Sequence, residues 1–472
     1  MTARAEPFFS AVLRENRPPG SPVGKGENKR VKKFRTITLG CRVNQYETAY
    51  VREALLVSGW EETLPGDHAR ADLVLINTCS VTAESDAKCR KAISTASELS
   101  PNAEIVVMGC YAAADPERLA RYPHVSEVLT DKRNLADFIR RRGWTAPRGV
   151  GSFGERHRAY IKIQDGCRVG CSYCIIPKVR PYLSSRPEED VIGEVVELER
   201  RGYREIVLSG IHLGHYGLDL IAADRKASPE GLAELLGRRA SAPAQSRHTL
   251  ASLLRGLIER TSAPRFRLGS LEAVEVPDEL ARLAVEFPDR VCPHFHLSMQ
   301  SGDDDVLRRM KRRWPSGPYI DRALSLRRMI PRVALTTDII VGFPGETDAE
   351  FQRTCEVARQ VRFSKIHIFR FSPRPGTEAA EMKGQIPEPV KKKRAAELAG
   401  IAAELRAEYA RSLIGNVVTV LTEERRGDSV RGTCEYFLPT RFEADVPLGR
   451  LLKVEVTAAD GETLVGRAAP LG

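Results

Sequence analysis

The sequence predicts an α/β protein in three parts: an N-terminal parallel sheet flanked by helices, a central partial barrel of six β/α units, and a small C-terminal β-barrel. Three observations carry this reading. Residues 34 to 145 alternate apolar strand-like runs with helix-like stretches. A second alternation with six strand candidates fills 159 to 371. From 416 onward, short apolar runs are separated by turn residues. Alternating β and α elements imply a parallel sheet, and clustered short strands imply a small barrel or sandwich.

In chain order, residues 1 to 32 lack a small-residue cleavage site and read as a disordered lead-in, not a signal peptide. The first domain, 33 to 147, has strands FRTITLG, DLVLINT and EIVVMG. Helix-like NQYETAYVREALLVSG and TAESDAKCRKAISTASELS lie between them. The second domain, 153 to 384, has strand candidates AYIKIQ, REIVLSG, RFRLGS, HFHLSM, VALTTDIIVG and SKIHIFRF. PEEDVIGEVVELERRG and DAEFQRTCEVARQV are two of its helices, and 219 to 248 is a polar, Ala-rich insertion. A basic helix beginning PEPVKKKR leads to the third domain, 411 to 472, with strands near NVVTVLTEE, VRGTCEYFLPT and LLKVEVTAAD.

Apolar residues at 42% and charged residues at 29% suit cores of ordinary size. No apolar run approaches the roughly 18 residues of a membrane span, so no membrane role is expected. The net charge of +11 favours a polyanionic partner, most often nucleic acid. Ten cysteines without an export signal point to the cytosol and reduced thiols.

Six of those cysteines form two triples. Cys167, Cys171 and Cys174 make a compact C-x3-C-x2-C run just after the first strand of the second domain. Cys41, Cys79 and Cys110 each follow a strand of the first domain directly. Carboxyl ends of parallel strands share one edge, so distant residues meet there. Thiolates suit iron–sulfur clusters or zinc, but structural zinc takes four ligands and each group offers three. Three thiolates on a four-iron cluster leave one iron open to a reactive ligand. Cys89, Cys292, Cys355 and Cys434 read as buried free thiols.

The compact run after the first β/α strand resembles the radical S-adenosylmethionine superfamily. Across nearly its whole length the chain resembles the methylthiotransferases, through LGCRVNQYET, INTCSVT, VMGCYA, CSYCIIP, LSGIHLGHYG, HLSMQSG, TTDIIVGFPGET and FSPRPGT. GCRVNQYET and CSYCIIP look most like the bacterial enzymes acting on N6-threonylcarbamoyladenosine in tRNA. The resemblance implies two [4Fe-4S] clusters and two molecules of S-adenosyl-L-methionine per turnover. The cluster at Cys167, Cys171 and Cys174 would generate the radical that removes hydrogen from C2 of the adenine. The cluster at Cys41, Cys79 and Cys110 would carry the sulfur. The two sites must then face each other, with the first sheet packed over the barrel mouth. The last domain resembles a TRAM domain that grips tRNA.

Implied cofactor contacts are Ser209 and Gly210 after the second barrel strand, Ser270 and Glu272 after the third, and Ser298, Gln300 and Ser301 after the fourth. Gly342, Phe343 and Gly345 of GFPGE complete the set. His212, His294, His296 and His367 lie near strand ends and read as hydrogen-bonded scaffold. The basic runs KRVKKFR, RRMKRRW (308 to 314) and KKKR (391 to 394) are by default solvated helix faces. Beside a radical site they become candidates for phosphate contacts. Implied partners are tRNA, an electron donor such as flavodoxin or ferredoxin with its reductase, and a sulfur source, with the enzyme acting as a monomer. Three alternatives stay open: a methylthiotransferase for isopentenyladenosine tRNA or a ribosomal protein, an iron–sulfur RNA-binding sensor without turnover, and a structural zinc protein.

Overall fold

The computed structural model describes residues 30–63, 71–133, 135–224 and 248–469. Nearly all of the expected lead-in and most of the 219 to 248 insertion lie outside the described residues.

The first sheet is fully parallel. Its strands are β1 (Lys33–Thr38), β2 (Glu61–Glu62), β3 (Leu73–Thr78), β4 (Glu104–Gly109) and β5 (Val125–Leu129), in the order β2-β1-β3-β4-β5. The central strands are apolar on both faces because both are covered. Leu73 and Leu75 pack with α1 (Arg42–Val57). Val74 and Ile76 pack with α2 (Ala83–Leu99) on the other side. Sequence patterning finds the three central strands and misses β2 and β5. Those two are the sheet edges, where Glu61, Glu62, Ser126 and Glu127 interrupt the apolar signal.

The second unit has six parallel strand positions in sequence order: β6 (Arg158–Lys162), β9 (Glu205–Ser209), β10 (Arg265–Leu268) continued by β11 (Ser270–Leu271), β12 (His294–Leu297), β13 (Ala334–Val341) and β14 (Lys365–Arg370). A short ladder of β7 (Gln164–Asp165) with β8 (Ser184–Ser185) follows β6. Gly269 interrupts the third position and sends its N–H to the Leu208 carbonyl, 2.8 Å. Among the described residues β6 and β14 do not pair, so the barrel is open. Helix α1 packs along the β6 side, and the helix Glu388–Arg411 covers β14.

Successive residues of a strand face opposite ways. Ile161, Ile206, Leu208, Phe266, Phe295, Leu297 and Ile339 belong to the large apolar core shared with the outer helices. The alternate residues give the barrel a polar interior, including Glu205, Arg265, Arg267, His294, His296, Thr336 and Asp338.

The third unit is a closed barrel of β15 (Val417–Arg426), β16 (Ser429–Cys434), β17 (Pro439–Glu443), β18 (Leu451–Asp460) and β19 (Thr463–Ala468), in the order β15-β16-β17-β19-β18. The expected single strand across VRGTCEYFLPT is divided in two. The chain reverses at Cys434–Leu438, where Cys434 N–H donates to Leu438 O at 3.0 Å and Phe437 takes a φ of +64°. This turn closes the floor of the central barrel. Phe437 stacks on His294 with ring centroids 4.7 Å apart. Arg267 donates to the carbonyls of Cys434 and Glu435, both 3.0 Å, and Arg265 to that of Thr433, also 3.0 Å. The GTCEYFLPT stretch that suggested an RNA-gripping domain is therefore engaged inside the molecule.

Candidate active site

Cys41 forms the N-cap of α1, Cys79 follows β3, and Cys110 opens the helix α3 (Cys110–Ala114) after β4. The ladder places Thr38 beside Asn77, and Thr78 beside Gly109, so the three cysteines leave adjacent strand ends. Two glycines make this approach possible. Gly40 has φ +105°, and a Cβ there would stand 2.7 Å from Cys79 Cβ. Gly109 has φ +110°, and a Cβ would stand 2.2 Å from the Thr78 carbonyl oxygen. Asn44 ties the turns together, its Nδ2 donating to Leu39 O and Thr78 O, each at 2.9 Å. Cys89 supports Cys79 from below. Its sulfur lies 3.3 Å from both the N and O of Cys79, and burial pushes its thiol up to about 12.

A Gly109→Ala substitution is expected to cost about 1–3 kcal/mol, because alanine meets both a forbidden φ and backbone that cannot move aside. Thermal unfolding measures that loss. Iron retained after anaerobic reconstitution should fall with it.

The second triple lies at the carboxyl end of β6. Gly166 has φ +82°, and a Cβ there would overlap Tyr182 O at 1.2 Å, so the C-x3-C-x2-C loop can begin only on glycine. Gln164 holds the loop by donating to Asp165 O (2.9 Å) and Gly166 O (2.8 Å), while its own oxygen accepts the His212 N–H at 2.8 Å. Cys174 N–H donates to Cys171 O at 3.1 Å. Ser172 anchors the loop to the C-terminal end of the helix Asp304–Arg309, its N–H donating to Met310 O (3.0 Å) and its hydroxyl to Arg309 O (2.8 Å). Tyr173 packs against a small core that contains Phe343 and Phe371.

The surroundings of the thiols are cationic. Arg180 Nε donates to Cys110 Sγ at 3.3 Å, and Lys132 Nζ lies 3.8 Å from the same sulfur. Arg312 Nη1 is 3.8 Å from Cys171 Sγ, and His212 Nδ1 is 3.6 Å from Cys167 Sγ. Burial opposes charge on His212, but Glu275 and the Cys167 thiol overrule it and raise the ring to about 10. Burial raises the thiols of Cys41 and Cys79, and pushes Cys174 up to about 12. Such thiols stay protonated until a metal displaces the proton. Three groups among the described residues bring their ligand atoms within 4.8 Å of one another, and neither cysteine triple is one of them. Sulfurs on one tetrahedral zinc lie roughly 3.8 Å apart, given a Zn–S bond of about 2.3 Å. Two wider triads of sulfur, each with cations at its edge, fit anionic iron–sulfur clusters better than single ions.

Comparison with known proteins decides the family. Residues 33–130 match the model of uncharacterized protein family UPF0004, and 161–358 match that of the radical SAM superfamily. The threonylcarbamoyladenosine tRNA methylthiotransferase MtaB of Thermotoga maritima is 36% identical, over 92% of this chain and 96% of that protein. MtaB of Bacillus subtilis is 33% identical, over 89% and 93%. The tRNA-2-methylthio-N(6)-dimethylallyladenosine synthase 1 of Mycobacterium marinum is 31% identical, over 97% and 91%. This chain belongs to the radical SAM tRNA methylthiotransferases. It is an enzyme that transfers a methylthio group to tRNA, with an iron–sulfur cluster and S-adenosylmethionine as its cofactors.

In this methylthiotransferase the residues expected at the barrel mouth divide by environment. Gly210 lies against the Gln164 side chain, where a Cβ would meet Oε1 at 2.9 Å. Ser270 is exposed, and Glu272 pairs with Arg312, which also reaches Ser298 O at 2.9 Å. Gln300 holds a φ of +70° and exchanges backbone hydrogen bonds with Asp338 and Ile340. The others are engaged in packing. Ser209 is buried, with its hydroxyl 3.5 Å from Val207 O. Ser301 is fully buried and hydrogen-bonds Thr354 and the Asp303 N–H. Phe343 is fully buried, Gly342 N–H donates to Glu346, and Gly345 N–H donates to Gly384 O. His212 does more than the scaffold role expected of it, since it touches Cys167. Arg180, Lys132 and Arg312 were invisible as site residues because nothing in their local sequence marks a partner far along the chain.

The basic runs also need correction. In RRMKRRW, Arg308 pairs with Asp305, Arg309 with Glu350, Lys311 with Glu378, Arg312 with Glu272 and Arg313 with Glu275. In KKKR, Lys391 and Arg394 are buried on Phe371 O and Glu346, leaving Lys392 and Lys393 exposed. In RRMKRRW, carboxylates from other elements take Arg309, Lys311, Arg312 and Arg313, while KKKR keeps two exposed lysines, Lys392 and Lys393, open to a phosphate. Among the described residues no helix is long and apolar enough to cross a membrane.

Proposed function

We propose that the enzyme inserts sulfur and a methyl group at C2 of N6-threonylcarbamoyladenosine in tRNA, using two S-adenosylmethionine molecules and two [4Fe-4S] clusters. Cys167, Cys171 and Cys174 would hold one cluster and Cys41, Cys79 and Cys110 the other. The observation that carries this reading is their placement: both triples border one domain junction, with Cys110 Sγ touched by Arg180, whose own carbonyl accepts the Cys167 N–H at 3.2 Å. When bound, these cofactors supply a carbon radical and a sulfur donor, which a C–H bond without an acidic proton requires.

The protein's own part is to hold, orient and enclose. The Gln164 amide fixes the cofactor loop, and Glu272 with Arg312 sets charge beside Cys171. The threonylcarbamoyl substituent is supported by the polar barrel interior. His296 bridges Thr336 (3.0 Å) and Asp338 (3.1 Å), with His367 beside it at 5.6 Å between ring centroids. A polar wall of this kind suits a hydroxyl, a urea and a carboxylate better than an isoprenoid. We further assign reduction to an external donor such as flavodoxin or ferredoxin, resupply of sulfur to an external source, and the reaction to a cytoplasmic monomer.

Nucleoside mass analysis of tRNA from a deletion strain tests the substrate. The expected result is loss of 2-methylthio-N6-threonylcarbamoyladenosine, with N6-threonylcarbamoyladenosine accumulating in its place. Loss of the methylthio form of dimethylallyladenosine instead would assign the enzyme to the other branch of its relatives.

A further inference from the structure

Between the two cysteine triples lies a buried charge cluster. Arg180, Lys162 and Lys132 meet Glu47 and Asp165 there, so three cations face two carboxylates. Glu47 is fully buried, and Arg180 and Lys132 are each 4% exposed. Burial pushes the Glu47 carboxyl up, but Arg180, Lys162 and Lys132 more than reverse this and leave it at about 2. Glu47 is therefore ionised, and Arg180 and Lys162 are its ion-pair partners. Cys110 Sγ is in contact with both Arg180 and Lys132.

Arg180 is saturated. Nε donates to Cys110 Sγ (3.3 Å), Nη1 to Glu47 (2.8 Å) and Asp165 (2.7 Å), and Nη2 to Asn44 Oδ1 (3.0 Å) and Glu47 (2.9 Å). These are the five N–H groups of a guanidinium, each with an acceptor. Glu47, Asn44 and Cys110 belong to the first domain, while Asp165 and Arg180 itself belong to the barrel unit. The main chain of Arg180 completes the connection by accepting the Cys167 N–H at 3.2 Å.

We propose that Arg180 is a positioning residue that couples the two cofactor sites: its backbone seats the Cys167 loop, its guanidinium seats Cys110, and its charge favours the more reduced, more negative state of whatever Cys110 helps to bind. This rests on the two-cluster reading above. One side chain thus sets both the spacing of the sites and the electrostatic bias of one of them. Lysine cannot replace it, because an ammonium has three donors on a flexible stem and cannot span five acceptors.

The test uses the reconstituted full-length enzyme with Arg180→Lys, Arg180→Gln and Glu47→Gln. In each, iron content, the reduction potential of the first site by electron paramagnetic resonance, and the ratio of 5′-deoxyadenosine to methylthiolated nucleoside are measured. Arg180→Lys is expected to keep 5′-deoxyadenosine formation within about twofold while product falls about tenfold or more, raising the ratio. Arg180→Gln should lower the potential, because a cation is lost. Glu47→Gln should raise it, because an anion is lost. A tie that was only structural would move both partial reactions in parallel and the two potentials in the same direction or not at all, and that result overturns the proposal. Poor folding of Arg180→Gln leaves the ratio in Arg180→Lys and the potential in Glu47→Gln to decide. Failure of the underlying two-cluster reading is distinguishable, because wild-type enzyme would then hold about four irons in place of about eight.

Discussion

Replacing Cys167 with alanine is expected to abolish both 5′-deoxyadenosine and methylthiolated tRNA, while replacing Cys110 should abolish only the second. Each change removes one of three thiolates from its set, so each should lower reconstituted iron from about eight to about four per chain. The asymmetry follows from position. Cys167 sits in the loop after β6, held by Gln164 and bordered by His212, and Cys110 sits at the end of β4 in the other domain. Cys355→Ala is the matched control. Its thiol is fully buried in the large apolar core of the barrel unit and belongs to neither triple, so both clusters should load normally. Iron assay, visible absorbance and product analysis of the three variants together check the assignment. Cluster loading of the wild type should also rise with pH. Burial holds Cys174 at about 12, so its ligation must displace a proton that is more easily lost in alkaline buffer.

Much of this site is legible in the sequence because it is local. A strand ending in Gly-Cys announces both the positive φ and the cysteine's place at the sheet edge, as at Gly40–Cys41 and Gly109–Cys110, and the spacing of Cys167, Cys171 and Cys174 is itself the loop. The six barrel strands are equally visible, since Ile206, Leu208, Phe266 and Phe295 must face the outer helices. What stays hidden is pairing across long separations. Arg180 reads as one more basic residue until the fold brings Cys110 and Glu47 to it. Arg309, Lys311, Arg312 and Arg313 look like a nucleic-acid strip until Glu350, Glu378, Glu272 and Glu275 arrive from other elements. The turn at Phe437 hides for the same reason: its left-handed residue is an aromatic, stabilised by a histidine from another domain.

Glu205 gives the largest expected effect on stability. Its carboxylate is fully buried on the barrel floor, with Arg265 at 2.6 Å, Arg267 at 3.0 Å and Arg158 at 3.3 Å. The same arginines reach into the C-terminal barrel, through Thr433 O, Cys434 O and the Glu423 carboxylate. Glu205→Gln would leave three buried guanidinium groups without their shared counter-ion, and breaking a buried pair in this way costs about 3–5 kcal/mol. A shift of the denaturation midpoint measures it. Exposed Glu424, 2.7 Å from Arg426, should give no more than about 1 kcal/mol when changed to Gln. Acid stability should follow the same logic. Burial raises the Glu205 carboxyl, but Arg267, Arg265 and Arg158 overrule it and hold it well below the usual carboxylate range. Its contribution is therefore complete above the unfolded-state value of about 4.3 and fades as pH falls from there toward the folded value. The difference in stability between wild type and Glu205→Gln should stay constant from pH 7 to pH 5 and narrow below about pH 4. A difference that held its full size at pH 3 would mean that the floor is secured by packing around Phe437 and not by this carboxylate.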